Sequence, residues 1–443
     1  MQARSRATQF PLRALALFAI VIVLAPAAAA QTAYFPARGD AWERRTAEQV
    51  GLVAAQVQAA VDFAIASASS APRNLLEQHL RSFGREPHGE ATGPFRERGE
   101  PTGIIVRGGY IVAEWGDPHR VDPTFSVTKS FLSTTVGLAW DRGLVGDLHS
   151  PVRPSFAPVV ALVGAPGGRV APGVAIPASG QGLPTADGDA PPVPAGVAYD
   201  AFEVLLPFES GHNRKITWDH LLRQTSEWQG TLWGKPDWAD RPRGDVAAWR
   251  VRERPEPGTV YTYNDVRVNL LALAALNVWR RPLPQVLKEH LMDPIGASHT
   301  WRWFGYDNSW VVLDGQLVQS VSGGAHWGGG MWISARDMAR FGYLTMHRGR
   351  WGDRQIISEE WIGFATTPGV QRTYGFMNFF LNTDRRPLPA APADAFYHVG
   401  AGNNLIYVDR ANDLVIVTRW IASTNALNGV IERVLTGARP PAR

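Results

Sequence analysis

Strand-like runs stand towards both ends of this chain, and a long stretch of helical pattern separates them. That order constrains the fold more than any other feature, because short strands are stable only when they find partners. Residues 103–115 hold two β-rich runs split by Arg107, Gly108 and Gly109, the signature of a hairpin. Far along the chain, residues 373–381, 404–408 and 414–420 read as further strands, and 425–435 as a closing helix. If the two ends pair, they form one sheet. The expected class is therefore α+β. Residues 31–125 and 348–443 would form a sheet domain, with a helical domain, 126–347, beside it. Helical spacing predicts helices over 46–66, over 126–142 up to Gly143, and over 218–224, 266–278 and 335–346.

Two segments break this regularity. Residues 67–100 are polar and rich in Gly, Pro and Arg, so they read as an irregular connection. Residues 154–200 are dominated by Pro, Gly, Ala and Val and carry neither period. They read as a flexible insertion, either a lid over a site or a bland surface loop. No internal repeat is visible.

The first thirty residues look like an address label. Arg4, Arg6 and Arg13 precede an apolar run at 14–24, and Ala28 and Ala30 form a small-residue cleavage site. The run is too short to span a bilayer. A signal peptide of residues 1–30, cut after Ala30, implies a periplasmic or secreted protein. With no cysteine, disulfides and a cysteine-linked lipid anchor are excluded. Loss of three arginines lowers the net charge from +4 to +1. That balance gives no reason to expect a nucleic-acid partner. Nothing after residue 30 is long and apolar enough to span a membrane.

Lysine usage points to chemistry. Of 44 cationic residues only Lys129, Lys215, Lys235 and Lys288 are lysines. Arginine stays protonated in a protein, whereas a buried lysine can shed its proton and act as a base. Only Lys129 has a serine three residues before it, Ser126. At helical spacing the two share a face. Ser126 would sit at the helix start, where backbone N–H groups favour developing negative charge and its own N–H can serve an oxyanion hole. Phe125, Phe131 and Leu132 would desolvate the lysine and lower its pKa. Two further stretches fit this picture. Tyr263, in the loop ahead of the 266–278 helix, is a candidate proton relay. Downstream, His398, Val399, Gly400, Ala401 and Gly402 include glycines that let a strand edge approach a substrate. Each also has an ordinary structural explanation, as a core tyrosine or a hydrogen-bonded histidine.

Taken in order, these stretches resemble the serine β-lactamase and penicillin-binding-protein superfamily, on the branch of class C-like esterases and 6-aminohexanoate-dimer hydrolases. The resemblance rests on Phe125-Ser126-Val127-Thr128-Lys129-Ser130, residues 216–226, Pro257-Gly258-Thr259, Tyr263-Asn264-Asp265, Gly328-Gly329-Gly330 with 334–341, and His398-Val399-Gly400. It implies an antiparallel sheet flanked by helices, an all-helical domain, and a site in the cleft between them. By resemblance Ser126 is the acylated nucleophile, Lys129 its base and Tyr263 the motif tyrosine, while Ala401 offers the second oxyanion N–H. No cofactor or metal is implied. The partner is a small-molecule ester or amide.

Two departures narrow the substrate. His398 stands where lactamases carry a lysine, and Asp265 where the family has asparagine. A neutral histidine attracts a carboxylate weakly and an aspartate repels it. Both would disfavour a carboxylated substrate at this subsite, which Gly400 also lines, and favour neutral esters or amides or a cationic substrate end. Asp265 could instead pair with Arg267 or Lys215. Trp228, Trp233 and Trp238 would line an apolar pocket or simply pack the helical domain. The expectation is a serine hydrolase of small esters or amides. The alternatives are a β-lactamase or D-amino-acid peptidase, and a penicillin- or peptidoglycan-binding protein without turnover. No G-x-S-x-G elbow or H-E-x-x-H pattern supports another hydrolase class.

Overall fold

The computed structural model describes residues 33–39, 41–162 and 202–439. The leader expected at 1–30 and most of the expected 154–200 insertion lie outside them. The two strand-bearing regions pair with each other. Six antiparallel strands run in the spatial order Phe380–Leu381, Phe396–Gly400, Asn404–Asp409, Leu414–Arg419, Thr102–Arg107 and Tyr110–Trp115. The register sets Ile105 opposite Ile416, and Ile406 opposite Val417. Successive side chains point to opposite faces. Ile104, Val106, Ile406 and Val415 enter one core, while Ile105, Leu405, Leu414 and Ile416 enter another. A sheet buried on both faces needs apolar residues at every position, which is why these strands show continuous rather than alternating hydrophobicity.

Helices Ala54–Ala66 and Thr424–Leu435 pack together over one face. Thr128–Trp140 and Ala335–Met346 lie on the other, where the Phe131 and Phe341 rings meet at 4.3 Å. Asp265–Trp279 packs against Thr128–Trp140 and is buried along almost its whole length. These helices agree with the helical spacing to within a few residues, apart from the one expected over 46–66. There Gly51, at φ +77°, ends a short turn, and the helix starts only at Ala54.

Residues 126–347, expected to be helical, also carry most of a second sheet. Asp122–Pro123, Gly330–Ile333, Arg302–Leu313, Val159–Leu162 and Phe202–Leu205 lie in that order, and Gln316–Val321 also pairs with Arg302–Leu313. The long strand hid in the sequence because Asp307, Asn308 and Ser309 interrupt its alternation. Its register shifts there, and the Ser309 hydroxyl fills the gap, accepting from Tyr306 N at 2.9 Å. The flanks of the insertion are thus paired strands. Of 373–381 only Phe380–Leu381 is strand. Asn378, at φ +63°, turns the chain and donates its N–H to the Tyr374 hydroxyl. The irregular 67–100 connection contains a helix, Leu75–Arg81, capped by the Asn74 side chain. No helix among the described residues is long and apolar enough to cross a membrane.

Arg419 fastens the two sheets. Buried at the end of its strand, it donates to Asn404 Oδ1 at 2.8 Å, to the carbonyls of Asp122 and Pro123 at 2.9 Å each, and to that of Ile333. Replacing it by methionine leaves these buried acceptors without a donor, at about 1–3 kcal/mol each where water cannot enter. Arg419→Met should lower stability by roughly 3 kcal/mol or more, read as a lower urea midpoint with an unchanged m value.

Candidate active site

The chain reaches Ser126 through a strained turn. Thr124 is pinned by its N–H and hydroxyl to the Met331 carbonyl at 2.9 and 3.1 Å. Phe125 then adopts φ +50°, a backbone state costly for a bulky side chain. A short 3-10 turn, Phe125–Val127, follows, and the α-helix begins at Thr128 rather than at the serine. Phe125 and Val127 are buried, whereas Ser126 is only half-buried and opens onto a cleft of about 220 Å³.

One turn on, Lys129 is fully buried and its Nζ donates to Ser126 Oγ at 2.8 Å and to Asp265 Oδ1 at 2.7 Å. Arg241 Nη1 donates to the other Asp265 oxygen at 2.7 Å and to Asp240 Oδ1 at 2.5 Å. Its Nη2 donates to His326 Nδ1 at 2.9 Å. A guanidinium only donates, so His326 carries its proton on Nε2 and passes it towards Glu86 Oε2, 2.8 Å away. A continuous hydrogen-bond network thus joins Glu86 to Ser126. Gly324 covers the ion pair with bare backbone, since a Cβ there would fall 1.7 Å from Asp265 Oδ1.

Burial lowers the Lys129 pKa from the usual lysine range, Asp265 opposes that, and Arg241 reinforces it. Burial works against ionisation of Asp265, but Lys129 and Arg241 outweigh it and hold the carboxyl below its ordinary range. Arg241 is raised despite burial, by Asp240 and Asp265. Burial and the Asp265 charge push Asp240 up to about 6, with Arg241 opposing. Glu86 rises to about 7 through burial and Asp240.

Tyr263 is aimed by its neighbours. Asn264 caps the Asp265–Trp279 helix by accepting from Arg267 N, while its backbone N–H donates to Gln224 Oε1 and its side-chain amide to the Asp237 carbonyl. The Tyr263 ring lies 4.7 Å from Lys129 Nζ and borders the cleft together with Ser126. Burial, then Asp265, raises its pKa well above that of an ordinary phenol. Opposite, Gly400 and Ala401 border the cleft with Ser126. A Cβ at Gly400 would lie 1.9 Å from Thr124 O and 2.9 Å from Ser126 N, so only glycine lets this strand edge close on the serine.

Ser126, Lys129, Tyr263, Gly400 and Ala401 therefore come together as expected from the sequence. Four expected substrate contacts do not. Asp265 is buried in the network and faces no substrate; its partners are Lys129 and Arg241, neither of them Arg267 nor Lys215. His398 shares the inward face of its strand with Phe396, among Phe341 and Phe379. Its Nδ1 is 2.9 Å from Ser130 Oγ, and burial pushes its pKa down to about 3, so it is neutral. Trp228 and Trp233 are buried and do not border the cleft. The Trp228 indole donates to the Pro207 carbonyl, as expected of packing.

Arg241, Asp240, His326 and Glu86 were not singled out in the sequence. The one available signal was an acid and an arginine side by side, Asp240 and Arg241, closing a tryptophan-rich loop. Glu86, Asp240 and His326 bring donor atoms within 4.8 Å of one another, as a metal site would. The arginine on His326 Nδ1 argues otherwise, because the protonated Nε2 has no lone pair for a cation. A larger groove of about 730 Å³, between Trp140, His149, His220 and Val370, contains none of these groups.

The Beta-lactamase family model matches residues 102–420. No curated protein matches the chain. Among solved structures it is similar to a β-lactamase from Mycobacterium bovis, at 16% identity over 76% of this chain and 95% of that one, with TM-score 0.46. A family VIII carboxylesterase shows 17% identity over 88% and 98% of the two chains, with TM-score 0.48. A penicillin-binding protein homolog from Caulobacter crescentus shows 13% over 87% and 99%, also at 0.48.

The charge on Arg241 has a measurable consequence. Without it, Asp265 faces Lys129 alone, and the lysine holds its proton to higher pH. In Arg241→Gln the pH at which Ser126 becomes reactive towards a fluorophosphonate should rise relative to the unaltered protein. In Asp265→Asn it should fall. Labelling rates across a pH series, read by intact mass, measure both shifts.

Proposed function

We propose that this chain, which belongs to the Beta-lactamase family of hydrolases, is an exported serine hydrolase acting through an acyl-enzyme on a small, uncharged ester or linear amide. The observation that carries the reading is Lys129 Nζ, buried and 2.8 Å from a half-buried Ser126 Oγ at the mouth of a cleft. Ser126 Oγ would attack the substrate carbonyl while its proton passes to Lys129 in its unprotonated form. Negative charge on the carbonyl oxygen would develop towards the N–H groups of Ser126 and Ala401. As the bond to the leaving group breaks, that group would take a proton through Tyr263, whose high pKa keeps it protonated and able to donate. Water would then attack the Ser126 ester, releasing the acid and restoring the serine hydroxyl.

The charge distribution supports an uncharged substrate. His398 is neutral and turned inward, so it offers a carboxylate nothing. Arg241 borders the cleft but spends its charge on Asp240 and Asp265. A cleft of about 220 Å³ is smaller than typical drug-sized pockets, in keeping with a small ligand. An anionic β-lactam would lack a free cation to hold it.

A chromogenic short-chain ester tests the assignment. Ser126→Ala should lose turnover by about 10⁴-fold and resist fluorophosphonate labelling. Equal rates in both proteins would refute the nucleophile. Tyr263→Phe should lower kcat by roughly 100-fold with folding intact by circular dichroism. Near-normal turnover there would move the proton relay elsewhere.

A further inference from the structure

Residues 69–100 lie ahead of the family match, yet they wrap onto the cleft. Lys235, one of the four lysines, anchors this strap: its buried Nζ donates to the carbonyls of His88 at 2.5 Å and Glu90 at 2.9 Å, and to the Glu90 carboxylate at 3.0 Å. Thr92 and Gly93 donate their N–H groups to the Trp327 carbonyl at 3.0 and 2.9 Å. A Cβ at Gly93 would fall 2.7 Å from Gly329 N, so the strap lies flush against the glycine-rich turn. Glu86 holds the middle through His326 at 2.8 Å and Arg241 N at 3.4 Å.

So tethered, the strap delivers one aromatic ring to the cleft. Phe83 borders it beside Arg241, Tyr263 and His326. Its ring centre is 4.2 Å from that of His326 and 5.3 Å from Arg241 Cζ. Arg241 Cζ lies 5.1 Å from the centre of the Tyr263 ring. Phe83 is therefore one guanidinium away from the group that would protonate the leaving atom, on the leaving-group side of Ser126.

We infer that Phe83 is a specificity-determining residue, a wall carried by the strap that restricts the leaving alcohol or amine to a small, uncharged group. The inference rests on Ser126 being the acylated nucleophile and Tyr263 the donor to the leaving group. The ring closes the cleft by bulk alone, and the guanidinium beneath it is already engaged by two carboxylates. Shortening the ring should lengthen the leaving-group arm and leave the acyl arm as it was.

The test compares kcat/KM, by pH-stat, over two ester series. One series holds the acyl group as acetate and enlarges the alcohol from methyl to 2-naphthyl. The other holds the alcohol and extends the acyl chain from acetate to octanoate. Phe83→Ala should raise the naphthyl-to-methyl ratio by roughly tenfold or more, the scale of a few methylenes in an apolar pocket. Phe83→Trp should lower it. Leu80→Ala, an exposed position on the same strap, controls for loosening of the strap and should keep the original ratio. An unmoved alcohol ratio in both Phe83 variants, or a shift confined to the acyl series, overturns the inference while serine-dependent turnover leaves the proposed function standing. Absence of both turnover and Ser126 labelling in the unaltered protein overturns the two together.

Discussion

The carboxylate of Asp265 sits where water does not reach and is bound on one oxygen by Lys129 and on the other by Arg241. An unpaired charge at that depth would cost several kcal/mol, so the two cations and the anion must assemble together. Their assembly fixes more than charge. Lys129 belongs to the helix that follows Ser126, Asp265 opens the long buried helix, and Arg241 ends the tryptophan-rich loop. His326 extends the contact to the glycine-rich turn, and Glu86 extends it to the strap. Five separated stretches of chain are thus joined in one network centred on this carboxylate. Asp265 also takes its own backbone N–H to Asp240, which draws the loop onto the helix terminus.

The same arrangement sets the protonation of the lysine. A lysine alone at this depth would be neutral, and one paired with a single aspartate would stay charged. Dividing the aspartate between Lys129 and Arg241 gives an intermediate result, in which burial prevails and the lysine falls below its ordinary range. Arg241 cannot supply or accept a proton in return, so it acts as a fixed counterweight. The protonation of Lys129 beside Ser126 therefore depends on residues more than 100 positions away.

That distance decides what could be read from the sequence. Ser126 and Lys129 were legible because three-residue spacing on a helix is local geometry, and the scarcity of lysine marked one of them. Tyr263 and Gly400 were legible through the motifs around them. The pairing of the two strand-bearing ends followed from their apolar runs, which announce a sheet covered on both faces. The role of Asp265 was not legible, since its neighbours in sequence, Arg267 among them, pair elsewhere: Arg267 binds Glu227 and Asp237. His398 was misplaced by strand parity. It falls on the same side as Phe396, and a single position decides whether a side chain meets the cleft or the core. The second sheet escaped because a serine-filled register shift broke the alternation of its longest strand.

Charge has thus moved within the site relative to the resemblance that the motifs carry. A lysine at the position of His398 would place a cation on the strand edge, free to meet a carboxylate. Here that position is neutral and inward, and the cation nearest the cleft is Arg241, on the opposite wall and already held by Asp240 and Asp265. A cation bound to two anions presents little field to a third. The strap then sets the Phe83 ring 5.3 Å from the guanidinium carbon, an aromatic face beside the charge. Two consequences follow from one geometry. The guanidinium is neutralised by two carboxylates where it borders the cleft, and its charge acts on Asp265, where it tunes the lysine. Under the proposed function a cleft built this way would select substrates by size and apolar fit, because its strongest charges are turned towards one another.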